Sequence, residues 1–163
     1  MSLKKNIAGF TLIEILITLI ILSIGLLGMA SLQMNSLRSN QGAYLRSQAS
    51  MLSYDMADRM RLNSIRAIAG DYDGFDTDGT VPADPGCIDA VAGCSAAQQA
   101  ATDMFEWASR VNGTGAGIAL LPDAEGTITR GAGNLFTITV DWTETGDTTN
   151  ADANTTFSLN FTL

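Results

Sequence analysis

A chain of 163 residues, 46% of them hydrophobic, has room for one modest domain plus one long appended element. Its net charge is −8, and fourteen of its 17 acids lie beyond Gly70 against only Arg110 and Arg130, which excludes a phosphate-binding surface there and makes nucleic acid an unexpected partner. Histidine is absent, removing the commonest general base and metal ligand, and no glycine-rich phosphate loop occurs, so neither an enzyme nor a cofactor is expected.

Residues 1–9 form a short polar leader that carries Lys4 and Lys5 and ends in Gly9. An ordinary signal peptide is cut after its apolar region, whereas here a small residue followed by Phe10 stands before it. From Phe10 to Leu32 the only charged residue is Glu14. A helix of that length spans ~34 Å, enough to cross a hydrocarbon core of ~30 Å. The two lysines ahead of it place residues 1–9 in the cytoplasm, and everything after about residue 33 is then translocated. A carboxylate in such a segment costs ~2.5–3.5 kcal/mol at the membrane centre and less near the interface. Glu14 therefore either reaches back to the headgroups or finds a cationic partner.

No proline interrupts the chain from Phe10 to about Ala67, so one continuous helix is expected, apolar all round over 10–32 and one-sided over 33–67. Leu45, Ala49, Leu52, Met56 and Met60 recur at helical spacing as its buried stripe. Arg59, Arg61 and Arg66 are expected as solvated helix charges, with acidic loops or a neighbouring subunit as the alternative they could face. Gly25 and Gly28 suit either close helix packing in a membrane or local melting.

Residues 68–163 make an acidic head. Its 70–93 stretch is rich in Gly, Pro and Asp and reads as loop. Asp71, Asp73, Asp76 and Asp78 supply oxygens suited to Ca²⁺, but calcium-loop spacing fails because it puts Gly74 first and Pro85 twelfth; a solvated acidic turn and no metal are expected. Cys87 and Cys94 are the only cysteines. In a translocated domain they read as a disulfide worth ~2–3 kcal/mol, since no further zinc ligands exist. Ser95 and Gln98 have capping-box spacing for a second helix that stops at Asn112-Gly113. Strands are expected at Ile118–Leu121, Thr127–Arg130, Leu135–Trp142 and Thr155–Leu163, the last two alternating apolar with polar residues. Trp107, Trp142, Phe136 and Phe157 fall on apolar phases and read as core.

The run Gly9-Phe10-Thr11-Leu12-Ile13-Glu14, with Lys4 and Lys5 upstream and the apolar segment behind it, resembles the signal of type IV prepilins and pseudopilins. The resemblance implies an α+β type IV pilin fold, a long N-terminal helix packed on a C-terminal antiparallel sheet. It also implies cleavage after Gly9 by a prepilin peptidase, methylation of the new amino-terminal Phe10, and pairing of Glu14 with a neighbouring subunit's amine during assembly. The stretches Ala43-Tyr44-Leu45-Arg46-Ser47-Gln48-Ala49 and Tyr54-Asp55-Met56-Ala57-Asp58-Arg59-Met60-Arg61 resemble the PilV family of minor pilins. That family implies a subunit of a tip-associated complex that primes pilus assembly, with other minor pilins, the major pilin, a tip adhesin and the inner-membrane assembly machinery as partners. Its localisation would be the inner membrane with the head in the periplasm, then the pilus. A minor pseudopilin of type II secretion is the alternative. A module that borrows a pilin anchor for adhesion or calcium sensing, and an ordinary single-pass membrane protein, are the other classes.

Overall fold

A proline-free run lets one helix, α1, extend from Leu12 to Leu62 in the computed structural model, which describes residues 9–115, 117–144 and 154–163. Of the expected leader only Gly9 falls within the described residues. The helix ends five residues before the expected end at about Ala67. Asn63 (φ −111°, ψ 41°) leaves helical geometry, and its side-chain amide donates to the Ala96 carbonyl at 2.8 Å and to the Tyr72 hydroxyl at 3.2 Å. A short polar side chain that satisfies itself elsewhere competes with the helix ladder, and here it wins. A short helix, α2 (Ser64–Ala69), follows and closes at Gly70, whose φ of 101° a side chain would resist.

The chain divides into two units, Met1–Gln41 and Gly42–Leu163. In the first, the large apolar side chains of α1 are exposed around the whole circumference. In the second, the expected stripe of Leu45, Ala49, Leu52, Met56 and Met60 is buried, and Ser53 and Ala57 are buried with it. A further helix, α3 (Ala96–Val111), begins at the foreseen capping box, with Gln98 N–H donating to the Ser95 hydroxyl and Ser95 N–H donating to the Gln98 side chain.

Four strands form one antiparallel sheet in the order β1 (Phe75–Asp76), β2 (Glu125–Arg130), β3 (Leu135–Thr143) and β4 (Asn154–Thr162). Ile138 of β3 sits opposite Ile128 on one side and Leu159 on the other. The inner face sets Ile128, Phe136, Ile138, Val140 and Trp142 into a single core with the α1 stripe and with Trp107 and Val111 of α3. This is the α+β architecture expected: long helix first, antiparallel sheet last. Trp107 is held by its indole N–H, which donates to the Leu52 carbonyl at 2.9 Å. A Cβ on Gly126 would stand 2.5 Å from the Trp107 ring, so that position of β2 admits only glycine.

Two strand expectations are corrected. Ile118–Leu121 forms no strand: Ile118 and Leu120 are exposed, and the Leu120 N–H bonds to the Arg110 carbonyl at 2.8 Å, tying the segment to the end of α3. Conversely, the stretch read wholly as loop contains β1, because Phe75 is buried opposite Ile128 and Thr77 N–H reaches the Gly126 carbonyl at 3.0 Å.

Candidate functional site

The membrane-end residues are built by the first turns of α1. Thr11 precedes the helix, and its carbonyl accepts from the N–H of Glu14 at 3.1 Å and of Ile15 at 3.4 Å. That places the Glu14 carboxylate in the first turn, where the helix's unpaired N–H groups favour negative charge. Phe10, Glu14, Ile15 and Thr18 line a shallow hollow on the helix surface. Gly9 and Phe10 lie ahead of the helix and are exposed, and a Cβ on Gly9 would meet nothing within 4 Å. Packing among the described residues therefore gives no reason for glycine at that position.

Behind this end, α1 contains an 18-residue window of mean hydropathy 2.5, none of it buried within the molecule. Length and composition suffice to cross a membrane. The polar side chains it carries are partly self-satisfied, Thr18 donating to the Ile15 carbonyl at 2.8 Å and Ser23 to the Leu19 carbonyl at 2.7 Å. So large an apolar surface requires cover, either hydrocarbon or other helices like it.

In the head, Cys87 and Cys94 form a disulfide with a Cα–Cα distance of 5.0 Å. Cys87 is buried and stands 4.0 Å from the Thr102 hydroxyl of α3, so the bridge pins the loop beside that helix. The Asp-rich loop is engaged by the protein itself. Asp71 takes a two-pronged pair from Arg66 at 2.6 and 2.9 Å, and Asp73 accepts the Arg130 N–H at 3.0 Å. Asp76 accepts the Asp78 N–H at 2.8 Å, and Asp78 accepts from the Asn112 amide at 3.2 Å. Among the described residues no group of three or more metal-capable side chains gathers.

The arginines correct the expectation of solvated charges. Only Arg61 fits it in part, pairing with exposed Asp58 at 2.7 Å while its guanidinium lies 5.0 Å from the Phe161 ring centroid. Arg66 turns onto the acidic loop because the left-handed Gly70 brings Asp71 back beside it. Arg59 is the centre of an internal network, 2.8 Å from Glu106, 3.1 Å from Asp55 and 3.2 Å from Asp103. Burial alone would lower its pKa, but the bond to Glu106 and the charges of Asp55 and Asp103 outweigh this and hold it above the ordinary value. Asp103, 2% exposed, also accepts from the Tyr72 hydroxyl at 2.7 Å and the Gln99 amide at 2.9 Å. Burial, followed by that hydrogen bond, pushes the Tyr72 hydroxyl well above the usual tyrosine range. Glu125 is also raised, by partial burial and then by Asp76, Asp78 and Asp141. The polar network joins the C-terminal half of α1 to α3. In sequence its only signal is that Arg59 and Asp55 share a helix face; the partners on α3 are fixed by folding.

Residues 31–105 match the model of the Tt1218-like family, described as type IV pilin Tt1218, and residues 4–30 match the prokaryotic N-terminal methylation motif. No curated protein and no solved structure matches the chain. The second match covers Gly9, Phe10 and Glu14; the first covers the α1 stripe, the disulfide loop and most of α3.

Proposed function

We propose, on the premise that the chain is type IV pilin-like and carries a prepilin methylation motif, that it is a structural subunit of a surface filament. The observation that carries this reading is the methylation motif set directly ahead of a bare apolar helix whose only charge over residues 10–32 is Glu14. In this scheme residues 1–9 are a leader removed after Gly9 by a prepilin peptidase, and the freed amine of Phe10 is methylated. Residues 10–32 then hold the subunit in the inner membrane with residues 68–163 in the periplasm, and 33–67 form the amphipathic half that seats the head.

The physics of assembly follows from the exposed helix. Leaving lipid for a bundle of like helices exchanges one apolar environment for another, so packing is nearly neutral in hydrophobic terms. The charge supplies direction. Cleavage creates a cation, and a neighbour's Phe10 amine can neutralise Glu14, whereas an unpaired carboxylate in the bundle would carry the full burial penalty. The resemblance of residues 9–66 to the PilV family favours a minor subunit that primes assembly in a tip-associated complex with other minor pilins, the major pilin and a tip adhesin. A minor pseudopilin of type II secretion shares the signal and is the second reading.

The decisive experiment is gene deletion combined with intact-mass analysis of the subunit recovered from sheared pili. A mature subunit beginning at methylated Phe10, with loss of pili in the deletion and normal protein secretion, supports the proposal. Loss of secretion with pili intact favours the pseudopilin. A subunit that keeps residues 1–9 in the membrane and joins no filament overturns both.

A further inference from the structure

The two edges of the sheet are protected very differently. On one side β1 is two residues long, too short to template another chain. On the other side β4 runs for nine residues with no proline and no charged side chain, in unbroken register against β3 from Leu135↔Thr162 to Thr143↔Asn154. Charges, prolines, bulges and short length are the usual guards of an edge, and β4 has none of them.

Ladder geometry shows which of its backbone groups are open. The Leu163 N–H bonds to the carbonyl of Asn134, directly opposite in this register. Hydrogen-bonded pairs alternate along an antiparallel ladder, so Phe161, Leu159 and Phe157 turn their N–H and C=O toward β3. On the far side of β3, the Gly131 N–H bonds to the Leu135 carbonyl and gives the same parity independently. Thr156, Ser158, Asn160 and Thr162 therefore aim their N–H and C=O groups away from the sheet, and among the described residues no backbone partner meets them. The side chains repeat the asymmetry. Phe157 and Leu159 pack on the core but are only partly covered, while Thr137–Asn160 and Thr139–Ser158 form a hydroxyl and amide ladder on the outer face.

The geometry points to β4 as a strand-addition site for an extended segment of another protein, uncharged or basic, with alternate apolar side chains that lie beside Phe157 and Leu159 and complete the cover of the core. Charge selects that occupant over a second copy of this chain. The head carries fourteen acids against Arg110 and Arg130 beyond Gly70, so two copies edge to edge would repel, whereas β4 itself opposes no partner by charge. The site uses the sheet edge rather than α1 and stands independently of the filament reading.

The test is amide hydrogen exchange of the full chain in detergent micelles. The probe is a synthetic peptide as long as β4, alternating valine with threonine and ending in lysines; the control contains the same residues in blocks. The expected result is free exchange at Thr156, Ser158, Asn160 and Thr162 in the chain alone, slowed at least about tenfold by the alternating peptide and not by the blocked one. Ser158→Pro removes an outward N–H and the exposed hydroxyl contact to Thr139 but no backbone bond to β3, and should abolish the slowing with the circular dichroism spectrum retained. Asn160→Lys, which keeps every backbone donor but charges the edge, should do the same and serves if the proline variant fails to fold. Unchanged exchange with the peptide, or slow exchange at these amides in the free chain at every dilution, overturns the proposal. Slow exchange that rises with the chain's own concentration assigns the edge to a second copy and equally overturns it.

Discussion

The Arg59 guanidinium stands 3.2 Å from the Asp103 carboxylate, joining α1 to α3 across 44 positions of sequence. Asp103 is almost fully buried and receives three donors, so its charge is tolerated only while they remain. Arg59→Met should lower stability by ~2–4 kcal/mol, because the carboxylate keeps two neutral donors but loses its countercharge. Adding Asp103→Leu should recover much of that loss. Denaturant titration of both variants, followed by circular dichroism, checks the pair; equal and additive losses would show that the two side chains do not interact.

Tyr72 gives the head an alkaline limit. Its folded pKa is raised, by burial first and by the bond to Asp103 second, so the unfolded chain ionises more readily than the folded one. The contribution is fully present below about pH 10, the ordinary tyrosine value, and falls as pH rises beyond it. Tyr72→Phe should cost ~1–2 kcal/mol at neutral pH and flatten the stability profile above pH 10. A profile above pH 10 identical to wild type would reject the assignment.

The opposite face of the pH scale belongs to Glu125. Its raised value means that the ionised form is disfavoured in the fold, so its contribution is present below the ordinary value of 4.5 and lost as pH rises through the folded one. Glu125→Gln should therefore stabilise the head at pH 7, by ~0.5 kcal/mol or less after solvent screening, and give no such gain near pH 3. Melting temperatures at the two pH values, repeated at high salt where the gain should shrink, decide it.

Replacing both Cys87 and Cys94 by serine should cost ~2–3 kcal/mol, and reduction of the wild-type protein should reproduce that loss. Reductant should leave the double variant unaffected. A melting temperature indifferent to reductant in the wild type would show that the bridge stabilises nothing.

If the proposed cleavage after Gly9 holds, Gly9→Val should leave precursor that retains residues 1–9, since among the described residues nothing crowds Gly9. Glu14→Gln should be processed normally yet enter sheared filaments at least about tenfold less, a loss equivalent to ~1.4 kcal/mol of pairing. Immunoblots of membrane and filament fractions separate the two effects; full incorporation of the Glu14→Gln subunit would remove charge pairing from the account.

Periodicity made much of this architecture readable in advance. The stripe from Leu45 to Met60 and the alternation along β3 and β4 are local repeats, and Ser95 with Gln98 is a local cap, so each could be read from one short contiguous segment. What escaped depends on distant partners. β1 exists because Ile128 lies opposite Phe75, the break at Asn63 because Ala96 and Tyr72 attract its amide, and the Arg59 network because α3 presents Asp103 and Glu106. Ile118–Leu121 has strand-like composition, but among the described residues no strand lies beside it to complete a ladder. The methylation motif that covers Gly9, Phe10 and Glu14 is legible for a different reason: it is a short contiguous run, read without any distant partner.

Both tryptophans of the chain, Trp107 and Trp142, lie in the core of the Gly42–Leu163 unit, and none lies on the apolar helix. Indole emission from the intact subunit is consequently a signal of the head alone, undiluted by whatever surrounds the hydrophobic segment. The same optical reading can be compared between detergent, vesicles and assembled fibres, so an emission shift on polymerisation would report a rearrangement of the head itself.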